Sequence, residues 1–165
     1  MCKKTYLQTK DLHKIVDSHP LVKGIAIDSK ESEYYINLIK YVLFLLESKM
    51  ETNEFYDKLK RKPLIDNNEV PYNSVIVKEI LYNNSELFFK SQIYLWYLSL
   101  MAGGKILKKK LHEKFHYLLD FTESQKIELK QIINNIPECD HKLFIDNVAI
   151  MYKLIAEDFD KFYIQ

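Results

Sequence analysis

Residues Tyr94–Leu111 read YLWYLSLMAGGKILKKKL, and two of the three glycines in the 165-residue chain, Gly103 and Gly104, stand side by side within them. Leucine, methionine, alanine and lysine around the pair all favour helix. A glycine inside a helix costs about 1 kcal/mol relative to alanine. A tandem pair in mid-helix therefore predicts that the backbone bends there, or that something flat approaches it closely.

Working outward, the pattern predicts six or seven antiparallel helices joined by short loops. A first helix runs from about Lys4 to Ser18, with Pro20 marking its end. Ser29 is placed to cap a second, which carries Tyr35, Leu38, Ile39, Val42, Leu45 and Leu46 at helical spacing and ends near Met50. Glu54–Lys60 forms a short helix, and Lys62–Pro71 reads as a polar loop between prolines. Asn73 is placed to cap a helix through Leu81, and Ser85 to cap the glycine-bearing one. Thr122 or Ser124 opens a further helix that Pro137 ends. From Asp140, a last helix sets Phe144, Val148, Met151, Tyr152, Ile155, Phe159 and Phe162 on one stripe.

Composition bounds the class. The length suits one domain, residues 1–165, and few glycines and prolines argue against a β-rich fold. A net charge of +1 gives no global field to recruit nucleic acid or a membrane surface. Cys2 and Cys139 are too few for a disulfide framework or a thiolate metal cage, which points to a reducing compartment. Cys2 lies at a terminus expected to fray. The opening MCKKTYLQTKDLHK lacks the apolar core of a signal peptide, and no apolar run approaches a membrane span. A soluble, cytoplasmic protein is expected.

The segment Tyr97–Lys109, YLSLMAGGKILKK, resembles the distal-helix signature of heme oxygenases, and Thr9-Lys10-Asp11-Leu12-His13 resembles the motif that supplies their proximal iron ligand. Both stand in the family's order, and the resemblance covers nearly the whole chain. It implies an all-α heme oxygenase-like bundle with heme between the His13 helix and the glycine-bearing helix. It makes His13 the axial iron ligand, oriented by Asp17 one turn on. It places Ser99, Gly103 and Gly104 at the catalytic, distal face. Tyr94 and Lys130 fall where the family contacts a heme propionate, and Tyr152 and Phe159 where aromatics meet the ring. Asn134 stands where the family has an arginine gripping a propionate. The activity implied is oxidative cleavage of heme to biliverdin, carbon monoxide and iron by a monomer. Its electrons would come from an external donor, a ferredoxin or an NADPH-dependent reductase.

The chain departs from this pattern at Leu100, where active members carry an aspartate that organises distal water. Leucine cannot accept a hydrogen bond. The preceding family glycine is Ser99, which at about 100° per residue points to another part of the helix surface than Leu100. The alternatives are a heme carrier, buffer or sensor that does not cleave the ring, or a retained fold serving a protein–protein role. His112-Glu113-Lys114-Phe115-His116 matches the zinc-protease pattern. Its neighbours Lys108–Lys110 and its own Lys114 instead suggest a solvated face. The carboxylates show no paired Glu-x-x-His arrangement of the di-iron bundles.

Overall fold

A computed structural model describes residues 1–164. Among them are eight α-helices and no strand: α1 Cys2–Asp17, α2 Pro20–Lys23, α3 Lys30–Ser48, α4 Glu54–Leu59, α5 Val75–Tyr82, α6 Glu86–Lys110, α7 Glu123–Asn134 and α8 His141–Ile164. Short 3-10 turns lie at Asn67–Glu69, Glu113–Leu119 and Glu138–Asp140.

Local chemistry sets most of these boundaries. Ser29 Oγ accepts the Ser32 N–H at 3.0 Å, and Ser85 Oγ accepts the Phe88 N–H at 3.3 Å, as their positions predicted. Thr122 opens α7 through a full capping box with Gln125. Three boundaries differ from expectation. Pro20 begins α2 instead of only ending α1: the His19 Nδ1 accepts the Leu21 N–H at 3.0 Å, and proline at the first helical position loses no hydrogen bond. Ser74, not Asn73, caps α5. Cys2 is not frayed but lies in the first turn of α1, its N–H donating to Asn134 Oδ1 at 3.0 Å.

The last helix organises the rest. α8 packs against α1, α5 and α6, and buries Phe144, Val148, Met151, Tyr152, Ile155 and Phe159 on the predicted stripe, with Phe162 half-buried at its end. α1 meets the core through small polar residues. Thr5 and Thr9 are buried, and each hydroxyl bonds back to the carbonyl four residues earlier, at 2.9 and 2.7 Å, so that no donor is left unmatched. His13 continues that line one turn on.

α6 runs unbroken through Gly103 and Gly104. Its buried side carries Phe88, Ser91, Gln92, Ile93, Tyr97 and Gly104. Along the other side Ser99, Ala102 and Ile106 are exposed and Gly103 is half-buried, which leaves a narrow strip of small residues uncovered by the rest of the chain.

Candidate functional site

That strip forms one wall of a cavity of about 510 Å³, within the roughly 300–1,000 Å³ usual for small-molecule sites. From α6 it takes Ser99, Leu100, Ala102, Gly103, Ile106 and Leu107, with Leu95 and Trp96 behind and Lys110 at the end. α1 contributes His13, Val16 and Asp17, and α8 contributes Tyr152, Ile155 and Phe159. Val22 of α2, Ile25 just after it, and Tyr35 and Ile39 of α3 complete an apolar lining.

The histidine end is built from consecutive turns of α1. His13 Nδ1 lies 3.3 Å from Asp17 Oδ2, at the four-residue spacing that puts both on one face. The Asp17 carboxylate is largely solvated, so the pair contributes at most about 1 kcal/mol and serves chiefly to orient the ring. Tyr152 packs its ring edge-on to the imidazole, with centroids 5.6 Å apart. Burial, and then the neighbouring Tyr94 and Asp17, push the Tyr152 phenol well above its ordinary pKa. Burial, with Asp17 adding to it, pushes the Tyr35 phenol up to about 12. Both phenols therefore stay protonated and neutral across the physiological range.

The residues singled out in the sequence do not all meet here. His13, Asp17, Ser99, Gly103, Tyr152 and Phe159 line this one cavity. Gly104 faces the other way: a Cβ built on it would lie 3.5 Å from the Leu119 carbonyl oxygen, so its contact is with the turn after α6. Tyr94 and Lys130 line an adjoining cleft of about 710 Å³ that shares Ala102 with the cavity. Lys3 and Lys126 line the same cleft. Burial raises the Tyr94 phenol to about 12, and its ring stands edge-on to Phe144. Asn134 also lines the cleft, but its side-chain oxygen is engaged in capping α1.

Two further placements depart from expectation. Ser99 lines the cavity alongside Leu100, because the opening wraps far enough around α6 to take in neighbours 100° apart. The Ser99 hydroxyl donates to the Leu95 carbonyl, one turn back on its own helix. Val22, Ile25, Tyr35, Ile39 and Trp96 were not singled out. Tyr35 and Ile39 already read as core positions of α3, and nothing in the local pattern separates an apolar residue facing a cavity from one facing core.

The zinc-protease pattern comes to nothing in three dimensions. Glu113–Leu119 is a 3-10 turn, on which residues four apart no longer share a face. His116 Nε2 lies 3.1 Å from the Leu111 carbonyl oxygen, and His112 Nδ1 accepts the Lys114 N–H at 3.3 Å. Among the described residues no three histidine, cysteine, aspartate or glutamate side chains gather to hold a metal ion, and no helix is long and apolar enough to cross a membrane.

The path of the chain is similar to that of heme oxygenase-1 from the cyanobacterium Synechocystis sp., solved in complex with heme. The TM-score is 0.72 over 97% of this chain and 90% of that one, at 19% sequence identity. The fold is the all-helical heme oxygenase fold. No protein-family model matches the sequence, and no curated protein matches it either. The likeness found to a heme oxygenase lies in the course of the backbone.

Proposed function

We propose that this protein binds heme in the cavity between α1 and α6, with His13 as the axial iron ligand. The observation that carries this is the pairing of an imidazole on α1 with the bare Ser99–Ala102–Gly103 strip on α6, across one apolar cavity. The residues present suit the group. A neutral imidazole is a good iron ligand when an acceptor holds its second nitrogen, and Asp17 stands at that nitrogen. Small residues on α6 let a flat ring lie against the backbone, and Tyr152, Ile155 and Phe159 offer apolar surface at its edge. The cleft holding Tyr94, Lys3, Lys126 and Lys130 suits the carboxylates of such a ring, where the lysines offer point charges and Tyr94 a neutral donor. Bound there, heme would supply a redox-active iron able to take up small ligands.

Titrating the protein with hemin tests this directly. The wild type is expected to give a sharp, saturable Soret band, and His13→Ala to lose the spectrum of a histidine-ligated iron. An unchanged spectrum in that variant would refute His13 as the ligand.

A second reading, oxidative cleavage of heme to biliverdin, carbon monoxide and iron, is favoured by Ser99 lining the cavity. Its hydroxyl is the polar group on the strip nearest the position where Leu100 offers none. Electrons would come from a ferredoxin or an NADPH-dependent reductase. Reduction of the heme-loaded protein in air separates the two readings: cleavage gives biliverdin-like absorbance, and simple binding keeps the Soret band.

A further inference from the structure

We propose that the α6 wall makes the heme-loaded, reduced protein a binder of carbon monoxide that discriminates against dioxygen, with Leu100 as the determining residue. This rests on heme occupying the cavity through His13. Polar groups line the cavity on both sides: His13, Asp17, Tyr35 and Tyr152 come from α1, α3 and α8, and Ser99, Trp96 and Lys110 from α6. On the α6 wall, the Ser99 and Trp96 donors are satisfied within the helix itself. Ser99 Oγ donates to the Leu95 carbonyl, and Trp96 Nε1 donates to Gln92 Oε1 at 3.1 Å. Lys110 lies beyond Gly103 by about 10 Å along the helix axis, at the end of the strip. Between these groups stands Leu100, 2% exposed, which has nothing to donate.

The polarity and donors of the distal side decide which small ligand a heme iron prefers. Dioxygen polarises on binding and is held more tightly where a donor faces it. Carbon monoxide barely polarises and gains little from a donor. A wall whose donors next to Leu100 are already engaged therefore leaves carbon monoxide untouched and weakens dioxygen. Around Leu100 the wall offers no free donor to a bound ligand, which suits a carrier or sensor of the gas better than a turnover site.

The test uses the full chain loaded with hemin and reduced with dithionite, in two arms. The first measures carbon monoxide and dioxygen affinities and the infrared stretch of bound carbon monoxide in the wild type, Leu100→Asn and Ser99→Ala. The proposal expects a wild-type stretch at the high frequency of an apolar pocket. It expects Leu100→Asn to lower the stretch and shift the partition toward dioxygen by about tenfold or more, the effect of one added hydrogen bond in a site shielded from water. Ser99→Ala is expected to shift the partition by far less than tenfold, because its hydroxyl already donates to the Leu95 carbonyl. A low wild-type stretch overturns the proposal without any variant, and so does a tenfold loss of dioxygen affinity in Ser99→Ala, since that hydroxyl would then already be donating to the ligand. An unchanged partition in Leu100→Asn also overturns it. The second arm is hemin uptake itself: no uptake overturns both this proposal and the heme-binding reading, whereas uptake with any of the failures above overturns this proposal alone.

Discussion

A Cβ added at Gly104 would sit 3.5 Å from the Leu119 carbonyl oxygen, whereas one added at Gly103 would meet only the Leu107 side chain, at 3.8 Å. Both are ordinary contacts, so neither glycine is held in place by crowding. Alanine at either position should stabilise the heme-free protein by about 0.5–1 kcal/mol through helix propensity, as read by urea unfolding. Heme binding should separate them. The Cβ of Gly103→Ala enters the face against which the ring would lie and should weaken hemin uptake, while Gly104→Ala should leave uptake unchanged. Equal losses in both would mean that the pair works through helix bending, not through a bare surface. The spacing in the sequence marks both glycines alike, and only the packing of Glu113–Leu119 under α6 tells them apart.

At the scale of elements, the start of α5 depends on a residue far along the chain. Asp158 of α8 is 1% exposed; its carboxylate accepts the Ser74 hydroxyl at 2.5 Å and the N–H groups of Val75 and Ile76 at 2.9 and 3.2 Å. Ser74 in turn accepts the Val77 N–H at 3.1 Å. The carboxylate thus meets the donors that the first turn of a helix leaves open, where its charge is also favoured. Asp158→Ala should destabilise the fold by at least about 2 kcal/mol, because it strands several buried donors at once. Ser74→Ala should cost about 1 kcal/mol, in the usual range for a lost N-cap. Thermal unfolding of the two singles and the double variant would show whether the losses couple. Strict additivity would mean that the two side chains act independently. Asn134 behaves similarly: the resemblance puts it where the family has an arginine gripping a propionate, whereas in the structure its oxygen accepts the Cys2 N–H in the first turn of α1. Both are long-range caps, and no local pattern reveals which distant side chain closes a helix end.

For the whole molecule, the cavity lies among α1, α3, α6 and α8, so filling it should tie the bundle together. A ligand at one hundred times its dissociation constant adds about 2.7 kcal/mol of stability. For a chain of this size that corresponds to a rise in melting temperature of about 5–10 °C. Hemin should produce such a shift in the wild type and a smaller one in His13→Ala, measured by calorimetry. A shift of the same size in both would mean that the ring is held by apolar contact alone, with the imidazole as a bystander.

The order of the longer helices, most of their caps and the apolar stripe of α8 follow from the residues alone, because helix periodicity and capping act within a few positions along the chain. The four-residue α2 at Pro20–Lys23, which makes eight helices where six or seven were expected, did not. The pairing of a histidine near one end with a glycine-bearing helix in the middle was legible too, through motifs that occur in a known order. Which side of α6 stays uncovered was not. Nor was the separation of Tyr94 and Lys130 into a neighbouring cleft, or the commitment of Ser99 and Trp96 to partners on their own helix. Those depend on how α1, α3, α7 and α8 close around α6, and a cavity is a property of several surfaces at once. Periodicity can say that a residue avoids water, but only the assembled bundle decides whether it turns to another side chain or to a space that a ligand can fill.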